Sequence, residues 1–291
     1  MNNSEILFLY DAKFANPNGD PDEENRPRMD YDREINLVSD LRLKRYIRDY
    51  LFEKGYDIFV RKVDDKAVTP KARVDELKNK SEEEIFNTWI DVRLFGATMP
   101  VKNENKSFIG PVQFNWGYSL NKVELLEASI TSHFASGEQN KQGAMGKDFR
   151  VKYSFIAFFG VISGKRAEHT RLSENDIKLL DEAMKYAIPL QATRSKIGQY
   201  PRLYLRVEYK DNRSIIGDFR KDVKLIEKNP SIRDIDEFYI EIGSLVNELR
   251  ENKNKIAKIV YFADKSLDIR INDEKVEIHE ALKDFNIEEV F

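Results

Sequence analysis

The hydrophobic period switches between two and about 3.6 residues several times from Ile6 to Tyr209, and this order constrains the fold more than any other feature of the chain. Ile6, Phe8, Tyr10, Ala12 and Phe14 share one face of a period-two segment and predict a first strand. A polar stretch with Pro and Gly runs from Asn16 to about Asn36. A helix follows, with Ser39 as N-cap, Asp40 at the positive end of its dipole and Gly55 as its stop. Leu43, Tyr46, Ile47, Tyr50 and Leu51 form its apolar stripe. Tyr56 to Val63 reads as a further strand. Residues 64–107 read as a charged, largely helical insertion with amphipathic spacing around Ile85, Trp89 and Val92.

Val112, Phe114, Trp116, Tyr118 and Leu120 alternate with polar residues as in a half-buried strand. Residues 122–150 then form a polar excursion, read as a projecting hairpin, that leads into a strand from Val151 to Ile162. Ser173 caps a helix that buries Ile177, Leu180, Met184 and Ile188. A strand from Arg202 to Tyr209 turns Leu203, Leu205, Val207 and Tyr209 inward. With the insertions set aside, the order is strand, helix, strand, strand, helix, strand, which predicts an α+β, ferredoxin-like (RRM-like) domain. Beyond residue 213 a helix is expected near Ile235 to Leu249, with short strands near Ile259 and Leu267.

Composition narrows the function. No cysteine is present, so disulfides, Cys-ligated zinc and iron-sulfur clusters are excluded and a cytoplasmic location is expected. His133, His169 and His279 are too scattered for a zinc motif. The start of the chain lacks the pattern of a signal peptide, and no membrane partner is expected. The net charge of -3 argues against a polyanionic partner until it is partitioned. Residues 26–48, 141–171 and 194–213 together carry +12, which leaves -15 elsewhere, with an acidic tail from Asp273 onward. Local potential governs binding, so a nearly neutral chain can still present a basic groove.

Three features carry that chemistry. The loop Asn16-Pro17-Asn18-Gly19-Asp20-Pro21 offers main-chain amides and short Asn side chains to phosphate or ribose oxygens; an ordinary surface turn is the alternative. Arg42, Lys44, Arg45 and Arg48 are expected to project from the helix away from its stripe and to track phosphates, or else to form a solvated face. Gly143-Ala144-Met145-Gly146-Lys147 and Arg194-Ser195-Lys196-Ile197-Gly198 each join flexible backbone to cations. Neither is a P-loop, because Lys147 lacks the following Ser or Thr and the preceding glycine spacing. No cofactor is expected. Met145, at an expected hairpin tip, is either a wedge against a nucleobase or a side chain without a role.

Taken together, Asn16 to Pro21, Asn25-Arg26-Pro27-Arg28, Ser39 to Arg45, Asp91 to Ala97, Gly110-Pro111-Val112-Gln113, Met145-Gly146-Lys147-Asp148 and Arg194-Ser195 resemble the backbone subunit of type I CRISPR Cascade complexes, in the type I-B branch of the RAMP superfamily. The resemblance covers about residues 5–210. It implies a modified ferredoxin-like palm (1–63, 108–121 and 151–212), a helical insertion (64–107), a thumb β-hairpin (122–150) and a C-terminal extension (213–291). It implies a non-catalytic chain that stacks on copies of itself and on other Cascade subunits along a guide RNA, leaving the guide free to pair with target DNA. On that reading Asn16, Asn18, Lys44, Arg45, Gln113, Arg194 and Lys196 hold the guide backbone, and Met145, Lys147 and Arg150 belong to the thumb. Pro111 to Leu120 lacks the aromatic-rich RNP signature, so base stacking across the sheet is not expected. Two alternatives stand beside it. One is a metal-dependent RNA endonuclease using Asp30, Asp32 or Asp40. The other is an assembly protein without RNA contact, held by its acidic tail.

Overall fold

The computed structural model describes residues 1–101, 104–135 and 143–290, with the side chains of 131–135 and 143–145 left aside. The first strand, Ser4–Ala15, lies in the middle of a large mixed sheet. It pairs antiparallel with the long strand Gly143–Ile162 on one side and the closing strand Gln199–Tyr209 on the other. Phe8 faces Phe158 and Tyr204 in the two ladders. Beyond the closing strand come Ile256–Ala263 and Ile287–Glu289; beyond the long strand come Gly117–Ser119 and Ile35–Val38.

Both faces of the first strand are buried, which is why Leu7 and Leu9 are as apolar as Ile6 and Phe8. On one face Ile6, Phe8 and Tyr10 meet the Ser39-capped helix, Asp40–Glu53, and the Ser173-capped helix, Glu174–Leu190. Both caps form as expected, and Ser173 and Asp176 complete a reciprocal capping box. On the opposite face Leu7, Leu9, Phe155 and Leu205 are covered by Phe219, Phe238, Ile240, Leu245 and Leu249 of the C-terminal extension. An open sheet surface for base stacking is therefore absent at this core.

Four expectations need correction. Tyr56 to Val63 is not a strand, because side chains take its backbone groups. The Asp91 carboxylate accepts from the Phe59 and Val60 amides at 2.7 and 3.2 Å, and Arg73 donates to the Ile58 and Phe59 carbonyls at 2.8 and 3.2 Å. The insertion is only partly helical: after Pro70–Asp75, Glu82–Thr88 and Ile90–Phe95 it ends in a hairpin, Gly96–Val101 with Glu104–Ile109. Its small core gathers Phe59, Val74, Ile85, Phe86, Trp89 and Met99. The strand expected over Val112 to Leu120 is split into Val112–Phe114 and Gly117–Ser119, with Trp116 half exposed between them. Gly117 lies under the Phe158 ring, where a Cβ would come within 2.4 Å of the ring edge.

The fourth correction lies in the extension. Its helix begins only at Gly243, and Phe238–Glu241 before it is a strand that buries alternate residues. Inward burial of Phe238 and Ile240 follows period two, which overrides helical spacing there. The projecting hairpin forms from Leu125–Ala135 and the long strand, which runs without interruption from the hairpin into the sheet. Residues 136–142 of the expected tip lie outside the described residues. No helix among the described residues is long and apolar enough to cross a membrane.

Candidate functional site

The Asn16 loop, the start of the first helix, the 194–198 loop and the hairpin root meet at one end of the sheet. Phe14, in the left-handed region at φ 48°, begins the turn out of the first strand. The Asn16 amide donates to the Ser195 carbonyl at 2.8 Å, and its side chain donates to Asn25 O at 2.7 Å. Asn18 Oδ1 accepts from the Ser39 amide at 2.8 Å, tying the loop to the helix cap. Lys196 closes the unit by donating to the carbonyls of Asn16 and Pro17.

Asn16 is thus 1% exposed, and both Asn side chains build the loop rather than project from it. Lys196 and Arg42, both partly buried, supply the cations beside the loop. No carboxylate among the described residues forms an ion pair with Lys196, and the neighbouring charge is Arg42. Burial first, and the Arg42 charge second, push the Lys196 ammonium down to about 7. Arg42 lies over the Tyr46 ring at 3.9 Å. Buried polar atoms without a protein partner gather in the same region: Asn16 Oδ1, Arg28 Nε, Arg42 Nε and Gln199 Oε1. Such atoms are rare in native proteins, and each calls for water or a ligand.

The expected projecting basic face is corrected by the same helix. Lys44 and Arg48 are buried, at 6% and 8% exposure. Lys44 donates to Asp40 at 3.1 Å and to Gln113 Oε1 at 2.9 Å, while Gln113 donates to Gly110 O at 3.0 Å. Arg48 pairs with Asp91 at 2.9 Å and lies over Phe95. Arg45 pairs with Asp49 and donates to Val60 O at 2.8 Å. Arg48 therefore anchors the insertion, and Arg45 the segment that precedes it. The physical reason is reach: long side chains on this flank find fixed acceptors on residues 60 and 91 and can be buried because they are paired.

At the hairpin root, Asp148 accepts from Arg150 Nε at 2.9 Å and from Arg194 at 3.2 and 3.3 Å. Arg150 also donates to Phe14 O at 2.8 Å. Gly146 and Lys147 are exposed, with Lys147 3.5 Å from Glu24 and 3.6 Å from Glu127. The Met145 backbone pairs with Thr131, but its side chain lies outside the described residues. Phe14, Asp148 and Gln199 were assigned no part in the site from sequence. Exposed Phe14, Ile197 and Tyr200 give this end an apolar element beside its cations. The signal for Phe14 was an aromatic two residues before the Asn-Pro-Asn turn; for Asp148, a lone acid between Lys147 and Arg150.

Two of the three aspartates named for metal chemistry, Asp30 and Asp40, have ordinary partners. Asp30 accepts from the Arg33 amide, and Asp40 pairs with Lys44. Among the described residues no group of three His, Cys, Asp or Glu side chains is placed to hold a metal ion.

Residues 2–243 match a family model described as CRISPR-associated protein Cas7. The chain is 35% identical to a CRISPR-associated protein Cas7 of Haloferax volcanii, over 96% of this chain and 92% of that protein. Its fold is similar to a chain of a CRISPR RNA-guided surveillance complex, with a TM-score of 0.54 at 15% identity over 94% of this chain and 95% of that one. A chain of such a complex in a pre-nicking state gives the same score and identity over 94% and 96%.

Proposed function

The chain belongs to the CRISPR-associated protein Cas7 family, and on that premise we propose that it binds guide RNA by its sugar-phosphate backbone, without regard to sequence, as the repeating subunit of a type I Cascade effector. The observation that carries the proposal is the meeting of Lys196, Arg42, Arg150 and Arg194 around the Asn16 loop, at the end of a sheet whose two faces are both covered. Cations and main-chain groups at a sheet end hold phosphates but do not read bases. Indifference to sequence suits a guide that must pair with target DNA.

The strand order supports reading the sheet as a ferredoxin-like palm. From the closing strand it runs through the first strand and the long strand to the 112–119 segment, with two helices on one face. Residues 64–107 are the insertion, 122–150 the thumb and 213–291 the extension that seals the back of the palm. The subunit is non-catalytic, belongs to the type I-B branch, and stacks on copies of itself and on other subunits. Lys147 and Arg150 act from the thumb root, and Met145, Gly146 and Ser195 complete the RNA surface.

The test is binding of the purified full chain to mixed-sequence single-stranded RNA over a salt series. Affinity should fall steeply with salt, by a slope of about -0.7 in log-log terms per phosphate engaged. RNA cleavage with magnesium, abolished by Asp30→Ala, Asp32→Ala or Asp40→Ala, would replace this reading by the endonuclease.

A further inference from the structure

We propose that Asp148 is a positioning residue that holds Arg150 and Arg194 side by side as one phosphate clamp, so that removing this negative charge weakens binding of a polyanion. The inference rests on the RNA-binding reading above and names a residue that reading does not use.

The geometry is specific. Asp148 sits on the long strand opposite Ala128, at the root of the hairpin, with its side chain only 13% exposed. One carboxylate accepts from guanidinium groups on two separate elements, Arg150 on its own strand and Arg194 on the 191–198 loop. Arg150 is fixed a second time by the Phe14 carbonyl at 2.8 Å. A guanidinium has five N–H donors. Each arginine donates two hydrogen bonds in this cluster, which leaves three donors on each for an incoming ligand. The Arg194 side chain is 64% exposed, so its spare donors reach solvent, while that of Arg150, at 17%, opens to solvent only in part.

Two effects oppose each other when Asp148 becomes neutral. Local charge rises by one, which by electrostatics alone strengthens RNA binding. Both arginines also lose their common anchor, and each long side chain must then be ordered during binding. The ordering of two rotamer-rich side chains outweighs one added charge at a site open to screening salt.

The experiment measures the affinity of the full chain for a mixed-sequence single-stranded RNA by fluorescence anisotropy across a salt series. It uses wild type, Asp148→Asn, Arg194→Gln and the double variant, with melting curves for each. Asp148→Asn is expected to weaken binding about tenfold and to make the salt slope shallower, whereas in the Arg194→Gln background it changes affinity less than about threefold. A merely structural role would lower the melting temperature and leave the coupling to Arg194 at zero. Binding by Asp148→Asn as tight as wild type or tighter overturns the inference while leaving the RNA reading intact. No salt-dependent RNA binding by wild type overturns that reading and the inference with it. Should Asp148→Asn fold poorly, Asp148→Glu decides: retained binding with retained coupling to Arg194 supports the clamp, and loss of that coupling overturns it.

Discussion

Arg48 of the first helix and Asp91 of the insertion form a buried ion pair at 2.9 Å, and the same carboxylate holds the amides of Phe59 and Val60. One acid thus binds a helix, a loop and the insertion together. Arg48→Ala leaves that carboxylate short of its counter-ion and should destabilise the fold by about 3–5 kcal/mol. Denaturant unfolding measures the loss, and the RNA salt slope of the protein that remains folded should be unchanged.

Arg42 and Arg45 are three residues apart on one helix and should behave differently. Arg42→Ala removes a cation beside Lys196 and should lower the steepness of the salt dependence by about 0.7, one phosphate's share. Arg45→Ala should leave it unchanged, because Arg45 is engaged with Asp49 and Val60. Anisotropy titrations at four salt concentrations separate the two.

The division between what the sequence shows and what it hides follows from where each group's partners lie. Ser39 and Ser173 were legible because a cap uses amides two or three residues on. The strand over Leu203 to Tyr209 was legible because alternation records a buried face. Tyr56 to Val63 misled because Asp91 and Arg73 satisfy its backbone from outside its own pattern. Lys44 and Arg48 read as surface cations for the same reason: Gln113 and Asp91, which permit their burial, are distant in sequence. The site was legible as a set of loops; which cations in it stay free was a tertiary matter.

Lys196 gives the site a pH dependence. Its ammonium is held down to about 7 by burial and Arg42, and among its contacts are only the carbonyls of Asn16 and Pro17. A phosphate placed beside it favours the charged form, so binding takes up a proton above pH 7. RNA affinity at constant salt should fall as pH rises from 7 to 9, by at most about tenfold per unit for one linked proton. Lys196→Arg should flatten the profile. For the free protein the sign is opposite: the unfolded chain binds the extra proton between about 7 and 10.5, so this group makes stability rise with pH there.

Gly117 and the C-terminal extension test the packing. Gly117→Ala drives a Cβ against the Phe158 ring and should cost about 1–3 kcal/mol, read as a lowered melting temperature. Ending the chain at residue 212 strips the cover from Leu7, Leu9, Phe155 and Leu205. The truncated chain should aggregate, as light scattering would report.

The central claim is backbone binding without sequence preference, and the most direct measurement compares two unrelated RNAs of equal length and no internal structure. Titrated against the full chain at 50, 100 and 200 mM salt, they should give equal dissociation constants, within about twofold, and the same salt slope. Discrimination between the two RNAs by tenfold or more, or an affinity indifferent to salt, would contradict it.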